Sequence, residues 1–299
     1  MVYDYKDFMI RSLDCTQLCA NPDRSVLNPG MIVYQDKLHF AYRTGCAWWR
    51  PTSIIVGELN PKTYLPDGEF KQLKFAINPN HYSLEDPRFF VHNNQLWIQI
   101  SVIRHINHDI TWGKIGIVNY NTQTLRILQV DGGNTPLEKN WVFFEYEDEL
   151  YCTYALFNGQ HAVYKVDERV IKSCYQTAFV NIYPTLSGTS NLVLKDGLLW
   201  GVGHTKTVKK QKLWIAEYSA IFYAINPGPP FQVVYLQKSP FISTNGEHRT
   251  FDGRTIGCIF PSGLIADGDD WIISAGINDL FISILRIPHA EVTKTLRGG

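Results

Sequence analysis

Glu85, Asp86 and Arg88 stand almost side by side in Glu85-Asp86-Pro87-Arg88, directly before the apolar run Phe89-Phe90-Val91. Two carboxylates beside a guanidinium can be driven to different proton affinities, because burial and like charge raise a carboxyl pKa while a cation lowers it. Such a pair suits general acid–base work, one group holding its proton while the other stays ionised. Pro87 fixes its own φ and disfavours helix for the residue before it, so Asp86 is expected in extended backbone at the mouth of a strand. The same residues would serve equally as a surface turn in which Arg88 neutralises Glu85 or Asp86. What decides between the two is whatever else the chain brings to them.

The elements that would position this stretch form a weak internal repeat. Asn28-Pro29-Gly30 leads into Met31–Tyr34, a polar turn at Gln35–Lys37, and Leu38–Arg43. Glu85-Asp86-Pro87-Arg88 leads into Phe89–Val91, a turn at His92–Gln95, and Leu96–Ile100. Lys139-Asn140-Trp141 leads into Val142–Tyr146, a turn at Glu147–Glu149, and Leu150–Tyr154. Gly188–Asn191 leads into Leu192–Leu194, a turn at Lys195–Gly197, and Leu198–Val202. Pro261-Ser262-Gly263 leads into Leu264–Ala266, a turn at Asp267–Asp270, and Trp271–Ala275. Short apolar runs split by Asp, Asn and Gly are hairpins. Further strand candidates lie between the anchors, at Gly113–Val118 and Lys212–Tyr218.

Anchors near 28, 86, 140, 189 and 261 fall at about the spacing a four-stranded propeller blade needs. The reading is all-β: one domain over residues 1–299, a five-bladed β-propeller whose polar anchors converge on a central channel. An all-β sandwich with coincidental spacing is the competing architecture. The last strand, Leu280–Leu285, is expected to close the ring by pairing with an early segment.

Composition narrows the function. The formal net charge is +0, so no global field draws in nucleic acid or an anionic membrane. No apolar run approaches the ~18–20 residues of a membrane span, and the start carries acids where a secretory leader needs basic residues. Six scattered cysteines (15, 19, 46, 152, 174 and 258) include one CxxxC but no second pair for a zinc site. His105 and His108 lack a third metal ligand at a fitting spacing. No N-x-Ser/Thr acceptor occurs. Reduced thiols in a cytoplasm follow as the expected setting, with no metal.

Taken together, the anchors resemble the mannoside phosphorylases and mannosidases of glycoside hydrolase family 130, and mannosyltransferases of the same fold. The matching pieces are Asn28-Pro29 with Arg43, Glu85-Asp86-Pro87-Arg88, Lys139–Val142, Gly188-Thr189 with His204, and Phe260–Gly263 followed by Gly276–Asp279, over residues 26–287. The resemblance implies transfer of a mannosyl unit from or to a β-mannoside with inversion, with Asp86 as general acid, its proton relayed through a sugar hydroxyl. Asn28, Arg43, Glu85, Arg88, Asn140 and Asp279 are implied in the sugar site. Arg104, Lys139 and His204 are implied around inorganic phosphate, a co-substrate that makes any further cofactor unnecessary. The loop Cys46-Ala47-Trp48-Trp49-Arg50 would select the acceptor.

One departure bears on the reaction. The phosphorylases carry a lysine just before the glycine-rich entry to the fourth unit, where this chain reads Tyr183-Pro184-Thr185-Leu186-Ser187-Gly188. Losing a cation weakens a phosphate site. Phosphorolysis of an oligosaccharide, or the reverse synthesis from a sugar phosphate, therefore stands beside a GDP-mannose-dependent transferase. Behind both come a hydrolase with Glu138 as base and a glycan-binding propeller without turnover.

Overall fold

The computed structural model describes residues 2–18, 25–45, 52–75, 81–106, 109–133, 135–183, 185–210, 214–244, 248–249 and 255–294. Nearly all of the regular structure is β. The helices described are one or two turns long, Cys15–Leu18 and His289–Thr293, with a 3-10 turn at Tyr5–Asp7. None is long and apolar enough to cross a membrane.

Five antiparallel meanders follow one another along the chain. The first is Ser25–Tyr34, Lys37–Gly45, Ser53–Leu59 and Lys71–Gln72; the second is Tyr82–His92, Gln95–Ile106, Asp109–Asn119 and Leu125–Ile127. The third runs Val142–Tyr146, Glu149–Phe157, Gln160–Asp167 and Val170–Ala178. In the fourth, the short strands Leu186–Gly188 and Val193–Lys195 pair with Leu198–Lys210, which pairs with Trp214–Ile225 and then Val233–Leu236. The fifth is Thr255–Asp267, Asp270–Ile277 and Phe281–Pro288, completed by Met9–Leu13 from the far end of the chain. The expected pairing of the last strand with an early segment is therefore present.

Turn chemistry explains the hairpins. Gln35–Asp36, Asn93–Asn94, Glu147–Asp148 and Asp196–Gly197 each place two successive residues at positive φ. That is the two-residue turn whose twist matches the right-handed twist of its strands. One apolar cluster lies between each pair of neighbouring meanders. Val56, Leu84, Phe89 and Ile98 fill the space between the first and second, and Phe90, Ile117, Trp141 and Phe143 that between the second and third. Phe144, Leu186, Ile221 and Phe231 lie between the third and fourth, and Val202, Phe222, Leu264 and Trp271 between the fourth and fifth. Met31, Phe40, Ile272 and Ile284 join the fifth to the first. Fully burying one such side chain contributes about 1.5–3 kcal/mol.

The hydrogen bonding departs from five separate four-stranded blades. Glu217 and Tyr218 pair in parallel with Gly257 and Cys258, so the fourth and fifth meanders merge into one twelve-stranded sheet. The third gains a fifth strand, Gln129–Val130, parallel to its outer edge. Both additions have one cause: an unpaired strand edge recruits whatever backbone passes beside it.

Candidate active site

The site begins with two matching β-bulges. In the second meander Glu85 pairs with Ser101 and Arg88 with Gln99, so Asp86 and Pro87 together oppose a single residue. In the first, Leu27 pairs with Arg43 and Gly30 with Ala41, leaving Asn28 and Pro29 as the same insertion. Asn28 has φ 46 and Asp86 φ 53. Asp86 is thus left-handed and not extended, a correction to the sequence reading. The extra residue of a bulge must turn its backbone out of register, and Asn and Asp tolerate positive φ better than other L-residues. The bulges nest so closely that a Cβ on Gly30 would lie 2.5 Å from the Pro87 carbonyl oxygen.

This geometry aims Asp86 into the protein, where it is 5% exposed. Asn28 Nδ2 donates to Asp86 Oδ1 at 2.6 Å. One guanidinium nitrogen of Arg43 lies 3.3 Å from Glu85 Oε2 and 3.8 Å from Asp86 Oδ1. Lys139 Nζ donates to Glu85 Oε2 at 2.8 Å. Arg88 takes a different course, donating to the Trp141 carbonyl at 3.2 Å and to Asn140 Oδ1 at 3.0 Å. Arg88 thus locks the second meander to the third and leaves Glu85 to Arg43 and Lys139. The surface-turn reading, in which Arg88 neutralises its neighbours, does not hold: Asp86 and Arg88 are both buried.

Burial pushes the Asp86 carboxyl up, but Arg43, Lys139, Arg88 and the Asn28 hydrogen bond together overcome it and hold the group below the usual carboxylate range. Burial opposes the charge on Arg43 and on Lys139, yet the facing carboxylates raise both. Arg88, deepest of the three, is lowered by burial. The sequence reading placed Asp86 as an acid that holds its proton near neutrality. The three cations around it keep it ionised.

The remaining candidates divide. His204 reaches the cluster: it is buried, its ring packs against Phe260 and Tyr218, and Nδ1 has no partner among the described residues. Burial, followed by the nearby Arg88, pushes its pKa down to about 3. His204 is therefore a neutral hydrogen-bonding group near neutral pH, not a cation. Asp279, in a left-handed turn with Asn278, acts electrostatically on Arg43. Asn140 serves Arg88. Arg104 is exposed, paired in register with Tyr82 and Trp112, three strand residues beyond the partner of Glu85. Glu138 is buried and accepts from the Tyr154 hydroxyl at 3.2 Å. Among the described residues no group of three His, Cys, Asp or Glu side chains could hold a metal. His108 and the Cys46–Arg50 loop lie outside the described residues.

Several site residues went unread in the sequence. Cys258, a buried free thiol, stands within electrostatic reach of Asp279, Arg43 and Asp86. The buried Tyr223 hydroxyl has no partner among the described residues and faces Arg88 electrostatically. Ser101, Gln99 and Ser262 also carry buried side-chain atoms without partners among the described residues. Their signal lies in the register of the strands, since Ser101 and Gln99 are the partners of Glu85 and Arg88.

With that geometry in view, solved structures give the comparison. A β-1,2-mannobiose phosphorylase from Listeria innocua superposes with a TM-score of 0.66 at 11% identity, covering 97% of this chain and 98% of its own. The chain shares its fold. A mannose phosphorylase from Leishmania mexicana, solved with phosphate, gives 0.62 at 14% identity over 91% and 86% of the two chains. A GDP-Man-dependent mannosyltransferase from the same organism gives 0.60 at 12% over 89% and 86%. A glycoside hydrolase family 130 enzyme that targets β-1,2 mannosidic linkages is also among the neighbours. No family model and no curated protein sequence matches the chain.

Proposed function

We propose that the chain is a mannosyl-transfer enzyme that interconverts a β-mannoside and mannose 1-phosphate by inverting phosphorolysis, with Asp86 giving up and taking back the proton. The observation that carries this reading is the buried, left-handed Asp86, held under the combined charge of Arg43 from the first meander, Arg88 from its own and Lys139 from the entry to the third. One displacement at the anomeric carbon needs a proton donor on one side and an anionic nucleophile on the other, so no second catalytic carboxylate is required. Glu138, the candidate base for hydrolysis, is buried and accepts from the Tyr154 hydroxyl. In the synthetic direction the ionised Asp86 is already the base that an acceptor hydroxyl needs.

In this reading the five meanders stand around one axis as the blades of a propeller, and the merged sheet is a local bridge between two of them. The apolar clusters between successive meanders support that arrangement. Phosphate lies against Lys139 and Arg43, His204 adds a neutral donor, and Arg104 contributes from the rim. No metal or organic cofactor enters the scheme.

A second reading, transfer from GDP-mannose, is favoured by a specific observation. His204 is neutral and Arg104 exposed, which leaves fewer cations for a free dianion. Incubating the protein with short β-mannosides, with and without phosphate, and separately with mannose 1-phosphate or GDP-mannose plus acceptor, separates the cases. Mannose 1-phosphate released only in the presence of phosphate is the expected result. Product from GDP-mannose alone selects the transferase, and free mannose regardless of phosphate selects a hydrolase. Sugar binding without turnover makes it a binding module. For the rim contact, Arg104→Ala should raise KM for phosphate more than for the mannoside; equal effects would remove Arg104 from the phosphate site.

A further inference from the structure

Every meander turns a titratable or charged group toward Asp86. The first supplies Arg43, the second Glu85 and Arg88, and the third Lys139. The fourth supplies His204 and the fifth Cys258, while Asp279 of the fifth acts on Arg43. Three of these are cations, and they do not stand at equal depth. Arg88 is 2% exposed and fixed by Asn140 and Trp141, whereas the Lys139 side chain is 30% exposed and ends on Glu85. The Arg43 side chain, at 14%, lies between them, so Lys139 and Arg43 are the cations that an entering anion meets and shares with the Glu85 carboxylate.

We propose that an anion binding to Lys139 and Arg43 loads a proton from solvent onto Asp86, so that the co-substrate itself arms the general acid. The inference rests on the reading of Asp86 as the proton donor. It follows from charge balance around one buried group. The cations overcome burial and keep the carboxylate ionised. An anion seated on two of them cancels their field at Asp86, and burial, the largest influence on the group, then favours the neutral acid. His204, already neutral, and Cys258, whose thiol burial pushes up, supply no compensating cation.

The cycle balances. Solvent gives one proton to the Asp86 carboxylate as phosphate enters. A phosphate oxygen forms its bond to the anomeric carbon while the glycosidic C–O bond breaks, and the Asp86 proton passes to the departing oxygen, directly or through a sugar hydroxyl. The sugar phosphate returns the proton of the attacking phosphate to solvent, repaying the one taken up, and its release restores the ion pairs around an ionised Asp86. Without phosphate, Asp86 has no proton to give, so hydrolysis is suppressed by the same device that permits phosphorolysis.

By linkage, an anion whose binding takes up one proton binds up to tenfold more weakly for each unit rise in pH. Calorimetric titration of inorganic phosphate into the whole protein, in buffers of different ionisation enthalpy at mildly acidic pH, measures the uptake directly. Sulfate, which does not titrate there, separates the protein's proton from the ligand's. We expect uptake approaching one proton in the wild type, retained in His204→Gln and lost in Asp86→Asn while the anion still binds. Binding without uptake, or uptake that survives Asp86→Asn, overturns the inference and leaves phosphorolysis standing. Failure of both anions to bind removes the anion site, and phosphorolysis with it. If Asp86→Asn does not fold, the pH dependence of sulfate affinity in the wild type and His204→Gln decides: a flat profile overturns the inference.

Discussion

Arg88 is the side chain on which the neighbourhood of Asp86 is built. Its two hydrogen bonds cross from the second meander to Asn140 and Trp141 of the third, and its charge bears on Asp86 and His204 together. A lysine offers a point charge in place of a planar fork and cannot satisfy both partners. Arg88→Lys should therefore lower stability by about 1.5–3 kcal/mol, the worth of a hydrogen bond to a charged group, and shift the denaturant midpoint accordingly. An unchanged midpoint would show that the fork does not tie the two meanders. At this scale the sequence revealed the acidic pair and its cations, because Glu85, Asp86 and Arg88 are adjacent in the chain. It misplaced the backbone of Asp86, since the proline argument considers one neighbour and the bulge depends on the facing strand. It also could not tell that Arg104 is exposed while His204 is buried, because both sit on strands of similar pattern.

At the scale of elements, the bulges at Asn28–Pro29 and Asp86–Pro87 hold the site, and glycine lets them meet. A Cβ on Gly30 would press on the Pro87 carbonyl, and one on Gly276 would come within 2.9 Å of Asn28 N and Oδ1. Overpacking of this kind costs about 1–3 kcal/mol, so Gly30→Ala should lower the melting temperature and reduce kcat together. Gly228→Ala meets only ordinary contacts, the nearest the Tyr146 hydroxyl at 3.8 Å, and should spare kcat, so equal kcat losses in the two variants would exclude a specific role for the bulge contact. The hairpins were legible because their turns are local: Asn93-Asn94 and Asp196-Gly197 announce positive φ without reference to any partner. The merging of the fourth and fifth meanders was not legible. It rests on a two-residue parallel pairing, which leaves no composition or periodicity behind.

For the whole molecule, the fifth meander is completed by Met9–Leu13, which pairs with Phe281–Pro288 and buries Leu13 completely. Ser274 Oγ also donates to the Pro29 carbonyl at 2.6 Å, tying the fifth meander to the bulge of the first. Removing residues 2–14 should therefore cost at least the about 1.5–3 kcal/mol of one buried leucine and broaden thermal unfolding; a transition as sharp and as high as that of the full chain would mean the terminal strand is dispensable. Acid should act on the same scale. Burial holds His161 down at about 4, His204 at about 3, and His39 below its ordinary value. Folded values below the unfolded one, about 6.5, mean that the unfolded chain binds more protons. The stability these groups contribute is then present above that pH and lost as pH falls toward the folded values, which urea midpoints measured across the range will show. The central claim is tested most directly by comparing mannose 1-phosphate release from a β-mannoside and phosphate by the wild type and by Asp86→Asn. The account predicts release by the wild type and a fall of about 10²–10⁴-fold in the folded variant; a variant that turns over at the wild-type rate would contradict it.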